Sequence, residues 1–233
     1  METVSGFPHS VLSGEGIRRA REAGLVVIDP FRQERVQTSS YDVGLGEHFW
    51  VTPAEHPGIR LINPFNPDHI RKLWNGPWRA STIRWHLEEG PFKDYAVEKD
   101  FNGLDLDDRV IILRPNETIL AHTEEFIGGK DLITTTMQAR STWGRVFLSV
   151  CGDAGWGDVG FINRWTMEIH NKLSQEWIVL CVGQPIAQIV FFAVSPEETT
   201  QYYVKGSYQQ GKTLEEVKAS WGPENMLPRL KKI

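Results

Sequence analysis

From Val110 to Phe192 the chain is a succession of short β-branched and aromatic runs, each closed by a turn signal. Val110–Leu113, Thr118–His122, Val146–Val150, Trp165–Ile169, Trp177–Val182 and Ile186–Phe192 read as strands. Arg114-Pro115-Asn116, Gly128-Gly129, Gly152-Asp153 and Gly183-Gln184-Pro185 separate them. Many short strands at close intervals predict a mainly β barrel or sandwich. Upstream, Ser13 is placed to cap a short N-terminal helix with Ile17 and Ala20 on its apolar side and Gly24 beyond its end. Leu25–Ile28 reads as a strand stopped by Asp29-Pro30, and a further strand begins near Tyr41.

Residues 53–108 change texture. Pro53, Pro57, Pro64, Pro67 and Pro77 break the pattern, and Trp74, Trp78 and Trp85 cluster there. The expectation is an irregular insertion within a single domain spanning 1–233, with a short helix at Asp68–Trp74 and the tryptophans buried against their own domain. Thr213–Ala219 reads as a last helical turn or two, inside a C-terminal lid or tail over 201–233.

The size of the chain, 233 residues, suits one large domain. A net charge of −5 argues against a nucleic-acid surface. Two cysteines, Cys151 and Cys181, are too few for a disulfide scaffold and fit a reducing compartment. The N-terminal residues lack a signal-peptide pattern, and no apolar run approaches the ~20 residues that span a bilayer. A soluble, cytoplasmic protein with neither nucleic acid nor membrane as partner is expected.

The chemistry concentrates between Gln138 and Asn171. In Trp165-Thr166-Met167-Glu168-Ile169-His170, period-2 alternation puts Trp165, Met167 and Ile169 on one face and Thr166, Glu168 and His170 on the other. A strand carboxylate is commonly just solvated, but this one follows a glycine-bounded turn carrying Asp158. Arg140, Ser141, Thr142 and Arg145 combine two guanidinium groups with two hydroxyls, a set suited to phosphate oxygens. Asp158 alone would be read as a turn former, and His170 as structural. His86-Leu87-Glu88 and His122-Thr123-Glu124 satisfy H-x-E, but no P-C-x-x-C follows, which excludes a zinc deaminase. Neither a phosphate loop, a dinucleotide fingerprint nor a nucleophile elbow is present.

Taken together, these segments resemble the dCTP deaminase branch of the dUTPase superfamily. Ser39-Ser40-Tyr41-Asp42-Val43 with Leu45-Gly46, then Arg140 to Arg145, are similar to the family's N-terminal and R-S-S-L-x-R segments. Ala154-Gly155-Trp156 with Asp158-x-Gly160-Phe161, Met167-Glu168-Ile169 with Asn171, and Gly183 to Phe191 follow in the family's order. The resemblance implies a distorted β-barrel of jelly-roll type, a homotrimer with sites between subunits, and metal-independent deamination of dCTP or a modified dCTP to dUTP and ammonia. Magnesium would accompany only the triphosphate. Glu168 would shuttle protons, the Ala154 carbonyl and Ser141 hydroxyl would orient the water, and Arg145 would polarise the pyrimidine side. Arg140 and Thr142 would hold phosphates with Ser141, Asp158 would face the deoxyribose, and Phe161 and Thr166 would join the substrate pocket. Lys205, Tyr208 and Gln210 would come from the lid. Thr142 and Val159 replace the family's Ser and Pro, Gly44 stands where Arg is usual, and Cys151 where His is usual. A dUTP diphosphatase, a bifunctional deaminase releasing dUMP, and a non-catalytic nucleotide-binding regulator are the alternatives.

Overall fold

The Ser13 hydroxyl accepts the Gly16 N–H (3.1 Å) and so starts helix α1 (Gly14–Glu22), which buries Ile17 and Ala20 and ends before Gly24 at φ +74°. The computed structural model describes residues 11–53, 60–195, 202 and 206–230. Strand β1 (Val26–Asp29) follows, then the long β2 (Tyr41–Val51). Within 60–108, short elements alternate with irregular backbone: α2 (Pro67–Leu73), β3 (Asn75–Arg79), β4 (Ser81–Thr82) and α3 (Ile83–Glu88). Two of the three tryptophans are not buried as expected. Trp78 lies on β3, which is exposed along its whole length, and Trp85 points away because α3 turns Ile83 and His86 inward. Trp74 packs beside Trp50.

The remaining strands are β5 (Arg109–Leu113), β6 (Thr118–Thr123), β7 (Phe126–Gly129), β8 (Ile133–Ala139), β9 (Leu148–Val150), β10 (Trp156–Gly157), β11 (Ile162–Asn163), β12 (Thr166–Asn171), β13 (Ile178–Cys181) and β14 (Pro185–Ala193). A short helix, α4 (Ser141–Arg145), interrupts them. The largest sheet runs β10-β8-β14-β2-β6-β12-β9 with β3 alongside β2, flanked by the sheets β1-β7-β11 and β13-β5-β4. The fold is mainly β, as the strand punctuation predicts.

Two departures are instructive. Gly128-Gly129 is not a turn but the end of β7, buried and paired with β1 and β11. A Cβ on Gly128 would overlap the Phe161 carbonyl, and one on Gly129 would meet Ile133, so these glycines permit close approach of chains. The strand expected from Val146 begins at Leu148, because Phe147 takes a left-handed φ of +61° and turns outward with Val146.

An ion network ties the N-terminal third to the β6–β7 turn. Arg32 grips Glu124 through both η nitrogens (2.6 Å each). Arg35, nearly buried, bonds the fully buried Glu125, Glu124 (3.2 Å) and the Gly183 carbonyl (2.6 Å). Glu125 also accepts the Gly44 N–H at 3.0 Å. The Arg35 guanidinium fills the space beside Gly44 that a side chain there would need.

The C-terminal segment returns across β2 and β6. Thr213 and Glu216 form a reciprocal capping box at α5 (Leu214–Ser220). Beyond it, a 3-10 turn (Pro223–Met226) is pinned by the Trp50 indole, whose N–H donates to the Pro223 carbonyl (2.9 Å), and Met226 is buried against Trp50 and Leu120. Among the described residues no helix is long and apolar enough to cross a membrane.

Candidate active site

Alternation on β12 is carried through: Met167, Ile169 and Asn171 are buried, while Thr166, Glu168 and His170 stand on the other face. Glu168 lies opposite Leu120 on β6, and its carbonyl accepts the Cys151 N–H (3.1 Å). Its carboxylate enters a cavity of about 380 Å³. Leu120, Ala154, Asp158, Phe161, Thr166 and Tyr208 share the lining, so six of the sequence-predicted site residues (Glu168 among them) meet at one cavity once Leu120 is set aside.

One oxygen of Glu168, Oε2, is buried and has no hydrogen-bond partner among the described residues. Burial, supplemented by the negative charge of Asp153, holds this carboxyl above its ordinary range despite a bond from its own backbone N–H. A carboxyl so placed gives and takes a proton more readily near neutrality than a solvated one. Burial and Glu168 together push the neighbouring Cys151 thiol up to about 12, which keeps it protonated and unreactive. His170, on the same face, bonds Thr118 Oγ1 (3.0 Å).

The Ala154–Asp158 wall is fixed from below. The Gly155 carbonyl accepts the Met137 N–H (2.7 Å), and the Gly157 carbonyl accepts the Thr134 and Thr135 hydroxyls. A Cβ on Gly155 would crowd the Met137 carbonyl. Ala154, Trp156 and Asp158 thereby stay exposed toward the cavity.

Arg140, Ser141 and Thr142 are elsewhere. They line a second, polar cavity of about 470 Å³ with Gln37, Ser39, Asp42 and Gln188. Arg140 is paired there with buried Asp42 (3.3 Å), which also accepts from Gln37 (3.1 Å). Burial raises Asp42 above the usual carboxylate range against the pull of Arg140 and Arg35. Helix α4 is anchored by the Trp143 indole donating to the Pro185 carbonyl (2.9 Å), which leaves Arg145 exposed and away from both cavities. One chain therefore divides the expected residues between two places.

Of the expected lid residues, Lys205 lies outside the described residues. Tyr208 lines the cavity, its carbonyl accepting from Asn163 Nδ2 (2.7 Å). Gln210 is exposed and lines neither cavity, whereas Gln209 turns inward and accepts the Ile162 N–H (2.6 Å). The C-terminal segment thus uses Gln209 as an internal brace, one residue before the glutamine singled out from sequence.

Sequence reading missed the opposite wall. Trp221, Asn225, Met226 and Pro228 complete the cavity, together with Asn163 and Arg164. The Trp221 ring lies 4.7 Å from that of His122, a buried and neutral histidine whose value burial depresses to about 3. Arg164 carried an available signal, since it shares the alternation of Thr166 and Glu168; the tail residues carried none. Among the described residues, no group of three or more His, Cys, Asp or Glu side chains is placed to hold a metal ion.

Comparison with known proteins places the chain among related sequences and folds. The model of the dCTP deaminase-like family matches residues 11–194. A protein of Acidothermus cellulolyticus named "dCTP deaminase, dUMP-forming" is 30% identical over 213 residues, 91% of this chain and 95% of that protein. One of the same name from Sulfurihydrogenibium sp. is 28% identical over 207 residues, 89% and 97% of the two chains. In structure, the chain is similar to the 2'-deoxycytidine 5'-triphosphate deaminase of Agrobacterium tumefaciens, with a TM-score of 0.52 at 15% identity, covering 79% of this chain and 48% of that one. With a family match over residues 11–194, which include Glu168, Ala154 and Asp158, the chain belongs to the dCTP deaminase-like family.

Proposed function

We propose that the protein deaminates dCTP hydrolytically and releases dUMP. The observation that carries this reading is the Glu168 carboxyl, half-buried in a cavity of about 380 Å³ with one oxygen unpartnered among the described residues and its proton affinity raised. Glu168 takes a proton from water as the water's oxygen bonds to C4 of cytosine. It passes that proton to N3, then takes the second proton from the C4 hydroxyl and delivers it to the amino group, which leaves as ammonia while C4 becomes a carbonyl. The Ala154 backbone orients the water, and general acid–base transfer of this kind supplies roughly 10²–10⁴-fold in rate. Asp158 lines the same cavity, where it can direct a second water to the α-phosphate. One dCTP and two waters then give dUMP, ammonia and pyrophosphate. The naming of the relatives as dUMP-forming favours this product over dUTP. Magnesium enters with the triphosphate as its counterion.

The division of the expected residues supports a site completed by other copies of the chain, in a homotrimer. Arg140, Ser141 and Thr142 line one cavity and Glu168 another, while Arg145, Val146 and Phe147 project from the surface. In that arrangement one subunit presents α4 to its neighbour's Glu168.

Incubation with dCTP and dUTP separately, following ammonia and pyrophosphate, tests the reading. Equal ammonia and pyrophosphate from dCTP is the expected result, with Glu168→Gln abolishing ammonia while nucleotide still binds. Ammonia without pyrophosphate would restrict the activity to deamination and make dUTP the product. Ammonia release undiminished in Glu168→Gln would remove Glu168 from the mechanism.

A further inference from the structure

The proposed substrate of the Glu168 cavity is a polyanion, yet the cavity is lined by two acidic side chains, Asp158 and Glu168. Among the described residues its lining includes a single cation, Arg164. The guanidinium of Arg164 is held by two rings: its central carbon lies 4.6 Å from the Trp221 ring centroid and 4.9 Å from that of Phe126. Nε donates to the Glu124 carbonyl (3.2 Å), which fixes the plane of the group. Its η nitrogens have no hydrogen-bond partner among the described residues, and Arg164 forms no ion pair there. The adjacent acids are already engaged, Glu124 by Arg32 and Glu125 by Arg35.

A half-buried guanidinium with oriented but unused N–H groups has lost hydration without gaining a counterion. Burial correspondingly lowers its proton affinity against the attraction of Glu47, Glu124 and Glu125. Such a group is preorganised for an anion, because its planar fork already has little rotamer freedom left to lose. Its position fits the nucleotide. Arg164 precedes Glu168 by four residues on one continuous run, so along the chain the two are at most about 13 Å apart, with Thr166 between them. A ligand with its base at Glu168 can extend its phosphates toward Arg164.

Resting on the deaminase reading, we infer that Arg164 is a phosphate-binding residue contributed by the same subunit as Glu168, clamped in place by Trp221 of the C-terminal segment. It would act beside the Arg140 group rather than in its place. The docked tail thereby does two things: it walls the cavity, and it holds an anion contact ready.

The test compares Arg164→Met and Arg164→Lys with the unaltered protein. Isothermal titration with inorganic triphosphate and, separately, with deoxycytidine divides phosphate binding from base binding. Steady-state turnover of dCTP accompanies it, and amide hydrogen exchange across residues 214–226 reports whether the tail stays docked. Loss of a charge-assisted bond predicts a roughly 10- to 100-fold rise in KM for dCTP with kcat little changed. Triphosphate affinity should fall by a similar factor, deoxycytidine affinity should hold, and Arg164→Lys should recover part of the loss. An equal loss for triphosphate and deoxycytidine would make Arg164 a prop for the tail and overturn the inference. So would unchanged triphosphate binding in Arg164→Met. If the unaltered protein fails to turn over dCTP at all, the deaminase reading itself fails, a different outcome from either of these.

Discussion

Replacing Arg35 by Met isolates the energetics of the buried ion network. The substitution removes the bonds to Glu124, Glu125 and the Gly183 carbonyl, and leaves Glu125 fully buried with the Gly44 N–H, its own backbone N–H and the more distant Arg32, 3.8 Å away. Breaking one partner out of a buried pair typically costs about 3–5 kcal/mol, because the other charge stays desolvated. For a chain of this size, each kcal/mol moves Tm by roughly 2–4 °C, so a fall of about 6–20 °C is expected. Urea unfolding at fixed protein concentration measures it directly. The pH dependence has a definite sign. Burial already holds the Glu125 carboxyl above its ordinary value although Arg35 opposes it, and losing Arg35 raises it further. A group with its folded value raised contributes fully below its unfolded value and loses that contribution as pH rises. The Arg35→Met deficit should therefore grow between about pH 4 and pH 8. Adding Glu125→Gln removes the stranded charge and keeps an acceptor for Gly44, so the double variant should recover more than half the loss. A single-variant cost below about 1 kcal/mol, the value of an exposed pair, would refute the reasoning. Failure of Glu125→Gln to restore any stability would refute it equally.

Two further outcomes follow from the same geometry. Glu168→Gln should be more stable than the unaltered chain at pH 8 and indistinguishable near pH 4, since its raised carboxyl value means the charged form opposes folding; thermal unfolding across that range checks it, and a variant less stable at pH 8 contradicts it. Gly128→Ala places a methyl group on the Phe161 carbonyl and should cost about 1–3 kcal/mol or more, with loss of amide protection in β11 by hydrogen exchange; a neutral substitution would mean that β7 and β11 approach less closely than described.

Glu168 was legible in the sequence because a strand has only two faces: the buried Met167 and Ile169 decide which way Glu168 points. Ser13 was equally legible, since an N-cap is a local arrangement of one hydroxyl and a nearby N–H. Gly128-Gly129 was not, because composition cannot distinguish a glycine chosen for a turn from one chosen so that two backbones can touch. The separation of Arg140 from Glu168 was foreshadowed only by the resemblance, which implies sites between subunits; the residues themselves do not say which side of a sheet each segment joins. Trp221 and Met226 lie in a segment without alternation or helical period, and their place is set by contacts with Trp50, Leu120 and His122, some hundred or more residues away. Tyr208 and Gln209 show the intermediate case, where the segment was recognised but a one-residue shift decided which side chain turned inward.

The placement of Trp221, Asn225 and Met226 on the cavity wall has a consequence for biosynthesis. Strand β6 and Glu168 leave the ribosome well before the residues that enclose them, so during translation the sheet can close while the side that carries Glu168 remains an open trough. Only when the segment after α5 emerges can Trp221 settle against His122 and Arg164. A nascent chain interrupted in that interval would hold the folded sheet with the Glu168 cavity still open on the side that Trp221, Asn225 and Met226 come to line.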